Sequence, residues 1–326
     1  MDRFQWTDIE LIKIDAEGEE NNIVKGGRRF FANLAPLVQY ELKKDATNIN
    51  FELIDEFAAI GYDSYRLVPG LNLLVPFDAG SQPDPYLLNL FCCKAACADR
   101  LAARGALLRS SDVSGRGAFV GLNEGSGDAG LKYHWSNALA HLPYAMSLAS
   151  AWRAAEEAGS SSGVIRALSF YSRSRDAALS SLERFRALEA SFLALKAECE
   201  REPVRLRLAS LARVGHDYGA RAESVIALKQ LLEYIRKAGI DPNEPFLPPP
   251  ERFDSIPFGA DPVPWLVAAV LEQLEKREHY STFYVGPTAR ERLEDIRALG
   301  FASPEMERRL DLVRLRIDLA RQRGNA

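Results

Sequence analysis

The sequence is poor in the residue types that build disulfide frameworks and metal centres. It has only four cysteines and four histidines in 326 residues. The cysteines are too few and too clustered for a disulfide framework, which predicts a reducing, cytoplasmic location. The closest histidines, His134 and His141, are seven residues apart, a rise of about 10.5 Å on one helix and too far to share a metal. The four cysteines are Cys92, Cys93, Cys97 and Cys199.

Long apolar runs and a basic excess are also missing. No run of about 18 apolar residues occurs, so we expect no membrane span. The formal net charge is −4, which argues against nucleic acid as a partner. The start, MDRFQWTDIELIKID, lacks the basic and apolar regions of a signal peptide. Gly125-Ser126-Gly127 lacks the G-x-S-x-G spacing of a hydrolase nucleophile elbow, so hydrolase chemistry has no support.

What is present is an ordinary globular composition, 47% hydrophobic and 26% charged, long enough for about two domains. The first 78 residues alternate between strand and helix patterns. The order β-α-β-α-β-β predicts a parallel sheet that ends in an antiparallel hairpin. The strands are expected at 9–14, 37–42, 62–68 and 71–77, with helices at 23–34 and 51–61.

Residues 9–42 carry a more specific pattern. An apolar strand runs into Lys13-Ile14-Asp15-Ala16-Glu17-Gly18-Glu19-Glu20; the next helix contains Lys25-Gly26-Gly27, and the following strand ends at the acid Glu41. This stretch resembles the second half of the FkbM family of S-adenosylmethionine-dependent methyltransferases. The resemblance implies an α/β fold, a partial Rossmann-like methyltransferase sheet with an antiparallel hairpin at one edge. A mainly α-helical region follows it.

The resemblance also implies a function, transfer of a methyl group from S-adenosylmethionine to a hydroxyl of a glycan or other small metabolite. In that family a glycine-rich turn after the first strand and an acid after the second hold the cofactor. The strand at 9–14 corresponds to the fourth. We therefore expect this chain to be the carboxyl-terminal half of the catalytic domain and not to bind the cofactor alone. The alternative is a non-catalytic remnant, a half sheet plus a helical scaffold that binds protein or carbohydrate.

The candidate site residues lie where the first two strands end. Neighbouring strands are about 4.8 Å apart, so Asp15 and Glu41 are placed to face one pocket. There they would act as a general base on a hydroxyl or help to hold a divalent cation. The resemblance implies catalytic roles for Asp15, Glu17 and Glu41, and cofactor contacts for Asp15 and Gly18. The alternative is helix capping by the acids, with Gly18 allowing a tight turn.

The remaining three fifths is predicted to be helical. Leu87 to Leu108 is rich in alanine and leucine and favours one helix, on which Cys93 and Cys97 share a face and pack as small apolar side chains. The five segments are a partial methyltransferase domain (1–78), a helix with a Gly-rich linker (79–130), a helical array (131–240), a Pro-rich connector (241–264) and closing helices (265–326). Helices are expected near 133–158, 163–176, 178–200, 203–214, 218–238, 265–278, 288–299 and 304–319.

Two features of these segments have alternative interpretations. Residues 115–130 hold six glycines, which is typical of a flexible linker, and as a ligand loop Gly115 to Gly121 misses G-x-G-x-x-G by one position. The arginines between Arg173 and Arg213 either face solvent or line a groove for an anionic partner. A protein partner on the helical region is therefore an open expectation.

Overall fold

The structure is a computed structural model that divides the chain into two compact units. The first contains Met1–Glu124, Ser174–Arg186 and Asp217–Gly219, and the second contains the rest. The residues that it describes are 2, 4, 6–16, 18–42, 51–80, 84–114, 132–159, 162–202, 206–257, 259–278 and 287–324.

The first unit is built on a five-stranded mixed sheet with the order β1-β2-β5-β3-β4. Only β1 and β2 run parallel, and β2–β5, β5–β3 and β3–β4 are antiparallel. The expected hairpin is therefore present at one edge, and β1 forms the other edge of the described sheet. The strands are β1 (Leu11–Ile14), β2 (Leu37–Glu41), β3 (Asp63–Val68), β4 (Leu73–Pro76) and β5 (Asn89–Cys93).

Helices cover both faces of this sheet. Alternate residues of a strand point to opposite faces, so Val38 and Tyr40 of β2 belong to one apolar cluster, while Leu37 packs against another. The first cluster includes Phe31 and Phe57 from two of the helices. The helices of this unit are α1 (Glu20–Gly26), α2 (Arg28–Leu34), α3 (Phe51–Ala58), α4 (Ala95–Ala103) and α5 (Ser110–Ser114).

The expectation of one helix from Leu87 to Leu108 is wrong. Residues 89–93 form β5, which inserts between β2 and β3, and only α4 is helical in the middle of that range. Cys93 and Cys97 thus lie on a strand and a helix rather than on one helix face. Both thiols are buried and free, and burial raises the pKa of Cys93 to about 12, in keeping with a packing role.

The second unit is helical in its described parts, as the sequence predicts. The single helix expected at 133–158 is wrong: residues 140–148 form turns between two shorter helices. The helices are α6 (Trp135–Leu139), α7 (Ala149–Glu157), α8 (Ser162–Ser174), α9 (Ser181–Arg201), α10 (Arg207–Tyr218), α11 (Arg221–Ala238), α12 (Pro262–Glu278), α13 (Pro287–Ala298) and α14 (Pro304–Gly324). The last residue of α8, the first six residues of α9 and the last two of α10 belong to the first unit.

The proline-rich segment is part of the core of the second unit. Residues 244–250 are all buried, and a short 3-10 helix, Glu251–Ser255, follows them. The buried Arg207 forms a bidentate ion pair with Glu244, and Nη2 of the arginine lies 2.7 Å from Oε2 of Glu244. The Tyr144 hydroxyl donates to the Phe246 carbonyl at 2.7 Å. Residues 244–250 of the segment predicted as a Pro-rich connector are therefore packed in a core.

None of the helices in the described part of the chain has both the length and the apolar run needed to cross a bilayer.

Candidate functional site

The candidate site is the edge of the sheet at which the parallel strands β1 and β2 end. Ile14 is paired with Tyr40, so the next residues along each strand, Asp15 and Glu41, lie side by side. Each carboxyl group shifts the pKa of the other, which Glu41 lowers in Asp15 and Asp15 raises in Glu41. The structure thus brings together the two acids that the sequence placed at this edge.

Lys13 makes the two carboxyl groups unequal. Its Nζ donates to Asp15 Oδ2 at 2.8 Å, and this hydrogen bond, with a further contribution from Glu41, holds the pKa of Asp15 below its usual value. Burial raises the pKa of the half-buried Glu41, and the neighbouring charges of Asp15 and Glu20 add to the effect. The negative charge therefore resides preferentially on Asp15, and Glu41 holds a proton more tightly.

Glu20 fixes the turn between Asp15 and helix α1. Its side chain is almost completely buried, at 3% exposure. The carboxylate accepts hydrogen bonds from the backbone amides of Ala16, at 2.8 Å, and Gly18, at 2.9 Å. Gly18 has a φ of +104°, which a side chain would strain, and no atom lies within 4 Å of the position of a Cβ. Gly18 is thus needed for its backbone conformation rather than for close packing.

The capping interpretation does not describe Asp15. The residue that precedes α1 is Glu19, and its side chain makes no capping hydrogen bond. Asp15 instead accepts a hydrogen bond from Lys13 and lies beside Glu41. Glu17, the remaining candidate, lies outside the described residues.

Two residues of the site, Lys13 and Glu20, were not predicted from the sequence. The sequence could have identified Lys13, because residues two apart on a strand point to the same face, which puts its amine beside Asp15. It could not have identified Glu20, because an acid in the first turn of a helix is common for electrostatic reasons alone.

Other sequence candidates do not gather into a second site. In the described ranges, no group of three or more His, Cys, Asp or Glu side chains could hold a metal ion. His134 is engaged by its neighbours: Nδ1 lies 2.9 Å from the Ser136 hydroxyl, and Nε2 lies 2.7 Å from Glu156. The glycine-rich run at 115–130 and His279 lie outside the described residues.

Comparison of the chain with protein-family models, with curated proteins and with solved structures gives no match. The FkbM-like motif is therefore a resemblance, and its weight comes from how its residues are arranged at the ends of β1 and β2.

Proposed function

We propose that the sheet of the first unit is the acceptor-side half of an FkbM-like methyltransferase fold, related to the Rossmann-like sheets. With the cofactor-binding half, it would transfer a methyl group from S-adenosylmethionine to a hydroxyl of a glycan or small metabolite. The observation that carries the proposal is the unequal carboxyl pair, Asp15 and Glu41, at the ends of adjacent parallel strands. In open α/β sheets, ligands bind outside those strand ends.

The pair is suited to removing a proton from a hydroxyl. Asp15 is ionised and 44% exposed, so it accepts a hydrogen bond from the hydroxyl of an incoming acceptor. Glu41 holds a proton more tightly than Asp15 does. Asp15 is therefore the base: it takes the proton of the acceptor hydroxyl and, being 44% exposed, returns that proton to solvent.

The described residues fit S-adenosylmethionine only at the end from which the methyl group leaves. This cofactor supplies a methyl group on a positively charged sulfur, and the ionised Asp15 is a compatible neighbour for a cation. None of the described strands is followed by the glycine-rich turn that the resemblance assigns to the nucleotide. The described residues therefore account for handling of the acceptor and its proton, not for binding of the adenine and ribose.

Cofactor binding provides a test that needs no knowledge of the acceptor. Titration calorimetry with S-adenosylmethionine is expected to show no micromolar binding to the 326-residue chain. The native gene product, tagged at its carboxyl end so that any preceding sequence is retained, is expected to bind. Micromolar binding by the 326-residue chain would overturn the placement of the cofactor elements, and no binding by the native gene product would overturn the proposed function.

The alternative, a helical region that binds protein, rests on a different observation. Helix α14 exposes a row of leucines, described below, that the proposed chemistry does not use.

A further inference from the structure

Helix α14 has two apolar faces instead of one. Its inner face carries Met306, Leu310 and Val313, which are buried with residues of α12 and α13 in one apolar cluster. Its outer face carries the leucines Leu312, Leu315 and Leu319, which are 48%, 57% and 47% exposed. A helix on the surface of a globular protein normally has a single apolar stripe, so the outer stripe requires its own explanation.

The outer leucines have the spacing of a coiled-coil seam. The steps from Leu312 to Leu315 and from Leu315 to Leu319 are three and four residues, which places them at positions a, d and a of a heptad. Position d of the preceding heptad is Arg308 and that of the following one is Gln322. The seam is therefore apolar over these three residues only.

The charges beside the seam are separated by sign. The two g positions that flank it are Asp311 and Asp318, both exposed. The e position between them is Arg316, which is also exposed. Arg309, one heptad earlier, pairs with Glu305 at 3.0 Å within the same helix.

This pattern is complementary to itself in one orientation. In a parallel pair of helices, a residue at g meets the e residue of the next heptad on the other helix. Asp311 would then face the arginine at 316 of a second copy. An antiparallel pair would bring acid to acid and base to base, which is unfavourable.

We propose that the outer face of α14 is a self-association surface that pairs with α14 of a second copy of this chain in parallel orientation. Three leucines from each copy make a contact smaller than the roughly 1,200–2,000 Å² of a stable specific interface. The dimer is therefore expected to be weak and to depend on protein concentration.

Sedimentation velocity of the full chain over a concentration series tests the apolar part of the proposal. Leu315→Gln is expected to weaken dimerisation at least about tenfold. Leu193→Gln is the matched control, because Leu193 lies on helix α9 and is also 57% exposed; its dimerisation constant should not change. A wild-type chain that stays monomeric at every concentration, or equal effects of the two variants, would overturn the proposal.

Variants with exchanged charges distinguish pairing with a second copy from binding of another partner. The variants Asp311→Lys and Arg316→Glu should each dimerise more weakly than the wild type when alone but should dimerise with each other when mixed. Circular dichroism confirms that each variant is folded. Self-association of either variant alone at wild-type strength would contradict the role of these charges.

Cross-linking tests the orientation. All four native cysteines are buried, so Leu319→Cys adds the accessible thiol. In a parallel pair this residue faces its own copy, and mild oxidation with oxidised glutathione should give a disulfide-linked dimer. A variant that dimerises in sedimentation but does not cross-link would overturn the parallel arrangement.

Discussion

The Asp15 and Glu41 carboxyl groups lie side by side at the ends of two parallel strands, and they hold their charge unequally. Lys13 favours the ionised form of Asp15, whereas burial favours the protonated form of Glu41. This asymmetry leaves Asp15 as the ionised group that can take a proton from an acceptor hydroxyl, and Asp15 is exposed enough to return that proton to solvent.

Asp15→Asn should lower the pKa of Glu41, because Asp15 raises it, in part through charge repulsion. The Glu41 carboxyl carbon, followed by NMR during a pH titration, reports this value directly. Glu10→Gln is the control, since Glu10 is an exposed acid at the other end of the same strand. A Glu41 pKa that is unchanged in Asp15→Asn would show that the two groups are not coupled.

Glu20→Gln should destabilise the first unit by about 1–3 kcal/mol, because glutamine has one acceptor oxygen for the two backbone amides that Glu20 binds. Native-state hydrogen exchange of the slowest amides in β2 measures the free energy of unfolding of this unit. Glu19→Gln is the matched control, since Glu19 is exposed and its carboxylate accepts a hydrogen bond from the Asn22 side chain, at 2.7 Å. Equal effects of the two variants would refute the role of Glu20 in the turn.

Hydrogen exchange should alternate along β1. The Leu37 amide donates to the Glu10 carbonyl, so even-numbered residues of β1 turn their amides toward β2 and odd-numbered ones turn them outward. In the 326-residue chain we expect slow exchange at Ile12 and Ile14 and fast exchange at Leu11 and Lys13. Protection at Leu11 and Lys13 would mean that another part of the chain covers this edge. In the native gene product, the proposed function expects those two amides to be protected.

Glu275 should make the second unit less stable as the pH rises. Its side chain is fully buried, neither oxygen accepts a hydrogen bond, and the nearest cations are Arg292 Nη1 at 3.5 Å and Arg309 Nη1 at 3.7 Å. Burial raises the pKa of Glu275 to about 7, against 4.5 ordinarily. The folded state thus holds this proton more tightly than the unfolded state does. Protonated Glu275 therefore stabilises the fold fully below pH 4.5, and this stabilisation is lost as the pH rises through 7.

Glu275→Gln should therefore have the wild-type melting temperature near pH 5. At pH 8 it should melt at a higher temperature than the wild type, and its free energy of unfolding should be larger by roughly 3 kcal/mol. Glu272→Gln is the control. Glu272 is equally buried, but Arg252 and Lys276 donate to its carboxylate at 2.7 Å and 3.0 Å, so its variant should lose stability at pH 8. A Glu275→Gln variant less stable than wild type at pH 8 would show that the arginines favour the charged form.

Elements stabilised by local pattern could be predicted from the sequence. The β1, β2 and hairpin strands have β-branched and apolar runs bounded by turn residues, and the spacing of Asp15 and Glu41 after two such runs placed both at one edge. Strand β5 was missed, because Asn89–Cys93 opens an alanine- and leucine-rich stretch with high helix propensity. Its conformation is set by pairing with β2 and β3, distant in sequence.

Two other features depended on tertiary contacts. The break at 140–148 contains Pro143, and Tyr144 there is buried and bonded to the Phe246 carbonyl, a contact that no local pattern reveals. Glu20 has the composition of an ordinary acid in the first turn of a helix. Only the three-dimensional path of the turn shows that its carboxylate is buried and bonded to two amides.

Methyl transfer is the most direct measurement of the central claim. The native gene product is incubated with S-adenosylmethionine labelled in the methyl group and a panel of glycans and hydroxylated metabolites, and label in the acceptor is counted. The account predicts transfer by the wild type and by Glu10→Gln, and a loss of roughly a hundredfold or more in kcat for Asp15→Asn. Transfer by Asp15→Asn at the wild-type rate, or no transfer to any hydroxyl acceptor, would contradict it.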